Sequence, residues 1–396
     1  MRINGLACAM LAILVSGYAP AAPPLRAYVG SYGTGQAKPG FGPLPSTNDF
    51  AHGRGISLIE VDPATGAMSR PRLVAETPSP GWLVVDARGE TLYAGNEIGA
   101  GTVSAFRIDK VTGALTPLGS QPTKGAPVSL AIDPSGKYVL AANYVGGSLA
   151  VFPIRPGGGI GPASDVALTI TPEVPARSPS PVAHVDDAPA ALHMVGFDRA
   201  GRFVFGTDAM QDRIFVWRLD GASGKLVHND PPFFEVDRGL FPRHFVFSPG
   251  DRHFYTLNER GGTIDMFDMS VSGGNVKLVR QQSVPTLPAD FHGRNATSEL
   301  LITDDGRFVY AANRGHDTIA AFAARPDGRL TPLGEVPTQN DHPRSMAFDP
   351  AQHFIFSLNQ RGDQIAALRI DPKTGRLSYS GQSLLIDSPG AMAFAK

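Results

Sequence analysis

Cations, carboxylates and imidazoles recur at two fixed places in a repeating segment of this sequence. The first place lies just before or at the start of an apolar run: Trp82, Ser129, His193, Arg243, His244, Glu299 and Arg344. The second follows the next apolar run: Tyr32, Asn96, Glu97, Asn143, Tyr144, Asp208, Asn258, Glu259, Asn313, Arg314, Asn359 and Gln360. Brought onto one concave surface, such a set can bind an anion and move a proton. A carboxylate takes a proton from water, a guanidinium holds a carboxylate, a phosphate or an oxyanion, and an imidazole serves either side of a proton transfer.

Some of these residues also fit a structural role. The Asn closing the second run returns in nearly every unit, as expected of a residue that makes turn hydrogen bonds. Glu259 stands apart because most units carry something else there, although Glu97 also follows an Asn. Arg243 and Arg344 both follow Pro and fit ion pairs between units equally well. His193 fits a hydrogen-bonded interior position. His184, Asp186 and Asp187 have the residue types of a metal cluster, but they fall in a Pro-rich insertion that reads as a solvated loop, so no metal or other cofactor is expected. The chain has no Gly-rich phosphate loop, no Gly-x-Ser-x-Gly elbow and no His-Glu-x-x-His.

The elements that must position these residues are short strands. Six units share one layout: an apolar strand, a Gly turn, a second apolar strand closing on Asn or Asp, a third strand and a further Gly turn. The third strand reads TVSAF, SLAVF, RIFVW, TIDMF, TIAAF and QIAAL. The second strands close at Asn96, Asn143, Asp208, Asn258, Asn313 and Asn359, roughly 46 to 65 residues apart. Repeats of this length with strand periodicity predict an all-β, seven-bladed β-propeller of four-stranded antiparallel blades. The seventh blade comes from the chain ends. RAYVGSY and GISLIEVD supply second and third strands without a first, and the terminal PGAMAFAK resembles the first strand PRSMAFDP. Pairing them closes the ring and leaves no long free edge, whereas an open solenoid of the same repeats would need polar caps that are not visible.

The chain of 396 residues is 42% hydrophobic and 18% charged, enough burial to exclude gross disorder. A formal net charge of -1 gives no reason to expect nucleic acid as a partner. Residues 1–21 have a positive start, the apolar run Leu6 to Val15 and small residues at Ala19-Pro20-Ala21, the pattern of a Sec signal peptide. The expectation is an exported protein, periplasmic or secreted, whose residues 22–396 form a single propeller domain without a membrane span. The one cysteine, Cys8, falls in the leader, so the mature chain has neither thiol chemistry nor disulfides. Oligomeric state is not readable.

AANYVGGSLAVF, FPRHFVFSPG, YAANRGHDTIAAF and HPRSMAFDP resemble the blade motifs of the lactonase-type seven-bladed propeller family, which includes 6-phosphogluconolactonase and carboxy-muconate lactonizing enzyme. The resemblance runs from about Tyr28 to the end. It implies a site made of His193, Arg243, Glu259 and Arg314. Members often have histidines where this chain has Ala191 and Leu301. The resemblance implies an enzyme that opens, or closes, a small anionic lactone or related organic acid. Glu259 would act as general base, Arg243 and Arg314 would hold the anion and oxyanion, and His193 would serve the leaving oxygen or the water. His244, Glu299, Arg344, Asn143 and Tyr144 are expected to contact the substrate. Two alternatives stay open: a non-catalytic periplasmic propeller that binds a ligand or protein at the same face, and a metal-dependent lactonase of another propeller type.

Overall fold

The computed structural model describes residues 22–33, 51–177 and 190–395. The expected leader and the His184, Asp186 and Asp187 group lie outside the described residues. The described strands form seven four-stranded antiparallel sheets. Blades 2 to 7 begin with the strands Pro80–Val85, Pro127–Ile132, Leu192–Phe197, Pro242–Phe247, Ala296–Ile302 and Pro343–Phe348. Blade 1 begins with the last strand of the chain, Pro389–Phe394, which pairs with Leu25–Ser31 in the register Ala27↔Phe394, Tyr28↔Ala393 and Val29↔Met392. The chain ends therefore meet in one blade, and the array is closed.

Burial follows strand rank and explains the apolar runs. The second strands Thr91–Asn96 and Tyr138–Asn143 are buried at every position, because neighbouring blades cover both of their faces. Outer strands such as Leu115–Pro122 and Leu330–Pro337 are mostly exposed. Apolar clusters fill the spaces between neighbouring blades. One of them stacks Phe205 of blade 4 against Phe245, Phe247 and Phe254 of blade 5.

A repeated polar lock accompanies this packing. A tyrosine three residues before Ser31, Asn96, Asn258 or Asn313 donates its hydroxyl to a glycine carbonyl of the next blade: Tyr28 to Gly113 (3.0 Å), Tyr93 to Gly158 (2.9 Å), Tyr255 to Gly328 (2.8 Å) and Tyr310 to Gly375 (2.9 Å). The phenol is buried and paired, so the ring contributes apolar area without leaving a polar atom unsatisfied. The second strands of blades 2, 3, 4, 5 and 7 end on the predicted Asn or Asp, and that of blade 6 runs one residue further, Phe308–Arg314.

Candidate functional site

Register brings the two families of polar positions together. The residue opening each first strand pairs with the residue closing the second, as in Pro80↔Asn96, Leu192↔Asp208, Pro242↔Asn258 and Pro343↔Asn359. The residue after the opening Pro or Leu and the residue after the closing Asn, Asp or, in blade 1, Ser31 therefore share one end of the sheets. The first set includes His193, Arg243 and Arg344, and the second includes Tyr32, Glu97, Tyr144, Glu259 and Arg314.

Glu259 is the hub of one cluster. One carboxylate oxygen lies 3.2 Å from Arg243 Nε and the other accepts from Arg314 Nη2 at 2.8 Å. Its side chain is 24% exposed, against 2% and 5% for the two arginines, so ligand or water reaches the carboxylate more readily than the guanidinium groups. Burial alone would raise the Glu259 pKa, but Arg314 and Arg243 outweigh it and hold the carboxyl below its ordinary range. Arg314 is fixed further by the carbonyls of Ala296 and Thr297, both at 3.1 Å, and Arg243 by the carbonyl of Ser298.

Behind Arg243 runs a relay. Its Nη1 lies 2.9 Å from His244 Nε2, and His244 Nδ1 lies 2.6 Å from Glu299 Oε1. Guanidinium can only donate, so His244 accepts at Nε2 and its Nδ1–H donates to the carboxylate. Ser345 donates to the other oxygen of Glu299 at 3.0 Å. Burial lowers the His244 pKa despite the facing Glu299, in keeping with a neutral ring in that tautomer. Trp82 and His193 meet His244 edge to face at centroid distances of 5.4 and 5.2 Å, and Tyr144 meets His193 at 5.5 Å. His193 is itself buried, and burial together with Arg243 and His244 pushes its pKa well below the ordinary value. It is a neutral imidazole, and its Nδ1 has no hydrogen-bond partner.

A third cluster crosses the ring closure. Arg344 of blade 7 donates to Tyr32 of blade 1 (2.7 Å) and to Glu97 of blade 2 (3.0 Å), and Tyr32 donates to the same Glu97 oxygen at 2.5 Å. Burial would lower the Arg344 pKa, but Tyr32 and Glu97 outweigh it and keep the guanidinium firmly charged. The room comes from glycine. A Cβ on Gly81 would lie 2.6 Å from the Tyr32 hydroxyl and 2.7 Å from Glu97 Oε2, and one on Gly390 would lie 2.2 Å from the Tyr32 ring.

The structure brings together His193, Arg243, Glu259, Arg314, His244, Glu299, Arg344 and Tyr144, but not every residue expected to contact substrate stands in front. Asn143 is fully buried; its amide nitrogen donates to Ser148 Oγ (3.1 Å) and to the Thr123 carbonyl (3.4 Å), and its Oδ1 has no hydrogen-bond partner. The recurring Asn is a turn residue here. His244 and Glu299 are 1% and 4% exposed and support Arg243 from behind. Sequence reasoning passed over Ser298, Ser345 and His342. For His342 a signal was available in departure from the repeat, because the matching position is Ser, Ala or Phe in the other blades. Among the described residues no three His, Cys, Asp or Glu side chains are grouped as metal ligands.

Residues 26–394 match the family described as lactonase, 7-bladed beta-propeller. A 6-phosphogluconolactonase of Bacillus subtilis is 30% identical over 344 residues, covering 86% of this chain and 94% of that protein. A 6-phosphogluconolactonase of Serratia proteamaculans is 30% identical over 288 residues, 72% of this chain and 80% of that protein. Among solved structures, a periplasmic gluconolactonase of Pseudomonas aeruginosa superposes with a TM-score of 0.82 at 28% identity, covering 94% of this chain and 99% of that one.

Proposed function

This chain belongs to the lactonase family of seven-bladed β-propellers, and on that premise we propose that it is an exported hydrolase that opens a small lactone at the end of the sheets where Arg243, Glu259 and Arg314 meet. The observation that carries the reading is one partly open carboxylate gripped by two buried guanidinium groups. Opening a lactone requires a water made nucleophilic, stabilisation of the tetrahedral oxyanion and a proton for the departing ring oxygen. Arg243 and Arg314 supply fixed positive charge for the oxyanion or for an anionic substituent. Both are sealed from water, where such charge acts most strongly. Glu259 accepts the proton of the attacking water. A carboxylate in two ion pairs is a weak base at rest, and it gains basicity as the oxyanion developing on the lactone carbonyl engages the same arginines. His193 is neutral, so it orients the water or donates a neutral N–H to the departing oxygen. Arg344, tied to Tyr32 and Glu97, adds positive field at the same end.

The relatives' names point to sugar-acid lactones as the substrate class. A phosphorylated cytosolic lactone fits an exported chain poorly, and the periplasmic relative makes an unphosphorylated lactone the first to try. Export is supported by the leader pattern of residues 1–21, and cell fractionation checks it. The activity test is a panel of lactones, including glucono-δ-lactone and its 6-phosphate, with Glu259→Gln and Arg243→Ala as controls. Each substitution is expected to lower kcat/KM by about 10²- to 10⁴-fold. Turnover unaffected by either change would remove the site. A binding-only function is the second reading, favoured by the depressed basicity of Glu259. It predicts tight uptake of sugar acids with no turnover of any lactone in the panel.

A further inference from the structure

The end of the sheets that carries the candidate site can be compared blade by blade. One backbone carbonyl per blade accepts the N–H of the residue that follows the second strand. It belongs to Ser388, Ser79, Ala126, Ala191 and Phe241 in blades 1 to 5 and to His342 in blade 7. Ala296 holds the matching register in blade 6. His342 alone in this set has an ionisable side chain. Its placement is imposed by the backbone. The His342 N–H donates to Asp317 Oδ1 at 3.0 Å, its carbonyl accepts from Gln360 at 2.9 Å, and its φ is +65°, a left-handed conformation that bulky residues take only when their surroundings dictate it.

The imidazole is 1% exposed. Burial and the facing guanidinium groups of Arg314, Arg361, Arg344 and Arg243 push its pKa far below the ordinary value, so the ring is neutral. Its Nε2 is buried and has no hydrogen-bond partner. A buried unpaired nitrogen is destabilising, and an apolar ring or chain of the same size would remove that penalty. Charge for an anion is already supplied by the guanidinium groups beside the ring. A neutral imidazole nitrogen does suit an uncharged hydroxyl, which it can meet as acceptor or as donor.

We propose that His342 is a specificity-determining residue that hydrogen-bonds, through Nε2, a hydroxyl group of a polyhydroxylated lactone whose carboxyl end lies on the arginines. The proposal rests on the lactone-hydrolase reading and adds the basis of its selectivity. Nε2 is closed to solvent, and ligand entry requires a neighbouring side chain to move aside.

The test compares wild type, His342→Leu and His342→Gln on glucono-δ-lactone and on δ-valerolactone, which lacks ring hydroxyls, with spontaneous opening subtracted. His342→Leu is expected to melt at the wild-type temperature or above. Its preference for glucono-δ-lactone, as the ratio of kcat/KM values, is expected to fall about tenfold, the worth of one hydrogen bond. His342→Gln recovers part of that preference. A ratio that stays constant across the three proteins overturns the proposal, and His342→Ala carries the same readout if the Leu variant does not fold. If wild type opens neither lactone, the hydrolase reading has failed by itself. Calorimetric binding of gluconate and of 5-hydroxyvalerate then decides: equal affinity ratios in wild type and His342→Leu, or no binding of gluconate to wild type, overturn the role of His342.

Discussion

Three imidazoles at one end of the sheets, those of His193, His244 and His342, are buried and have pKa values below the ordinary one, with burial as the leading cause in each. None is suited to act as a cation. Two end in unpaired nitrogens, and the third passes the position of Arg243 back to Glu299 and Ser345. The arrangement fixes how stability depends on pH. An unfolded imidazole takes up a proton near pH 6.5. In the native state each ring stays neutral to a lower pH, and those of His193 and His342 to a much lower one. The unfolded chain then binds more protons, so stability falls as pH drops below about 6.5, by roughly 1.4 kcal/mol per pH unit for each such ring. Glu259 and Glu299, whose native pKa values are depressed, act in the same direction at lower pH, their contribution being lost as pH falls through the native values. Denaturant midpoints at pH 7.5, 6.0 and 5.0 should decrease in that order. A flat profile over this range would mean that the rings are not held neutral.

At the scale of strands, the first strands of blades 1 and 2 give up side chains where those of blades 4, 5 and 7 present His193, Arg243 and Arg344. Gly390 and Gly81 occupy that position, and they leave the space that Tyr32 fills. Gly81→Ala is therefore expected to destabilise by about 1–3 kcal/mol through overpacking, and to break the Arg344, Tyr32 and Glu97 cluster. Gly99→Ala, where a Cβ meets nothing within 4 Å, is the neutral control. Equal melting temperatures for the two variants would show that the cluster has slack. This scale also shows what the sequence reveals. Strand ends were legible because Asn closes nearly every second strand and strand periodicity brackets it. The ring positions of His193, Arg243, Glu259 and Arg314 followed from that layout. The reach of each side chain did not follow. Nothing in the local sequence says that Arg344 crosses to Tyr32 and Glu97 of other blades, or that His244 and Glu299 turn behind Arg243. Those contacts join residues 55 to 312 positions apart. His342 is hidden by its motif, because HPR draws attention to its arginine.

At the scale of the whole molecule, the same contacts that build the candidate site depend on the ring being closed. Arg344 leaves blade 7 and finds its partners in blades 1 and 2, on the far side of the junction made by Pro389–Phe394 and Leu25–Ser31. That junction is held by backbone pairing and by a cluster in which Met392 and Phe394 pack with Ala27, Val29 and Phe356. Deleting residues 389–396 removes one of the 28 described strands but uncovers two surfaces at once. Leu25–Ser31 becomes an unpaired edge, and the apolar face of blade 7 loses its cover. The expected result is a chain that associates through the exposed edge, melts well below the full-length protein and no longer opens lactones even where it stays soluble, because Tyr32 and Gly390 go with the junction. Adding the peptide of residues 389–396 to the truncated chain should recover melting temperature and turnover together. Recovery of one without the other would separate the closure of the ring from the assembly of the site, and the dependence argued here would be wrong.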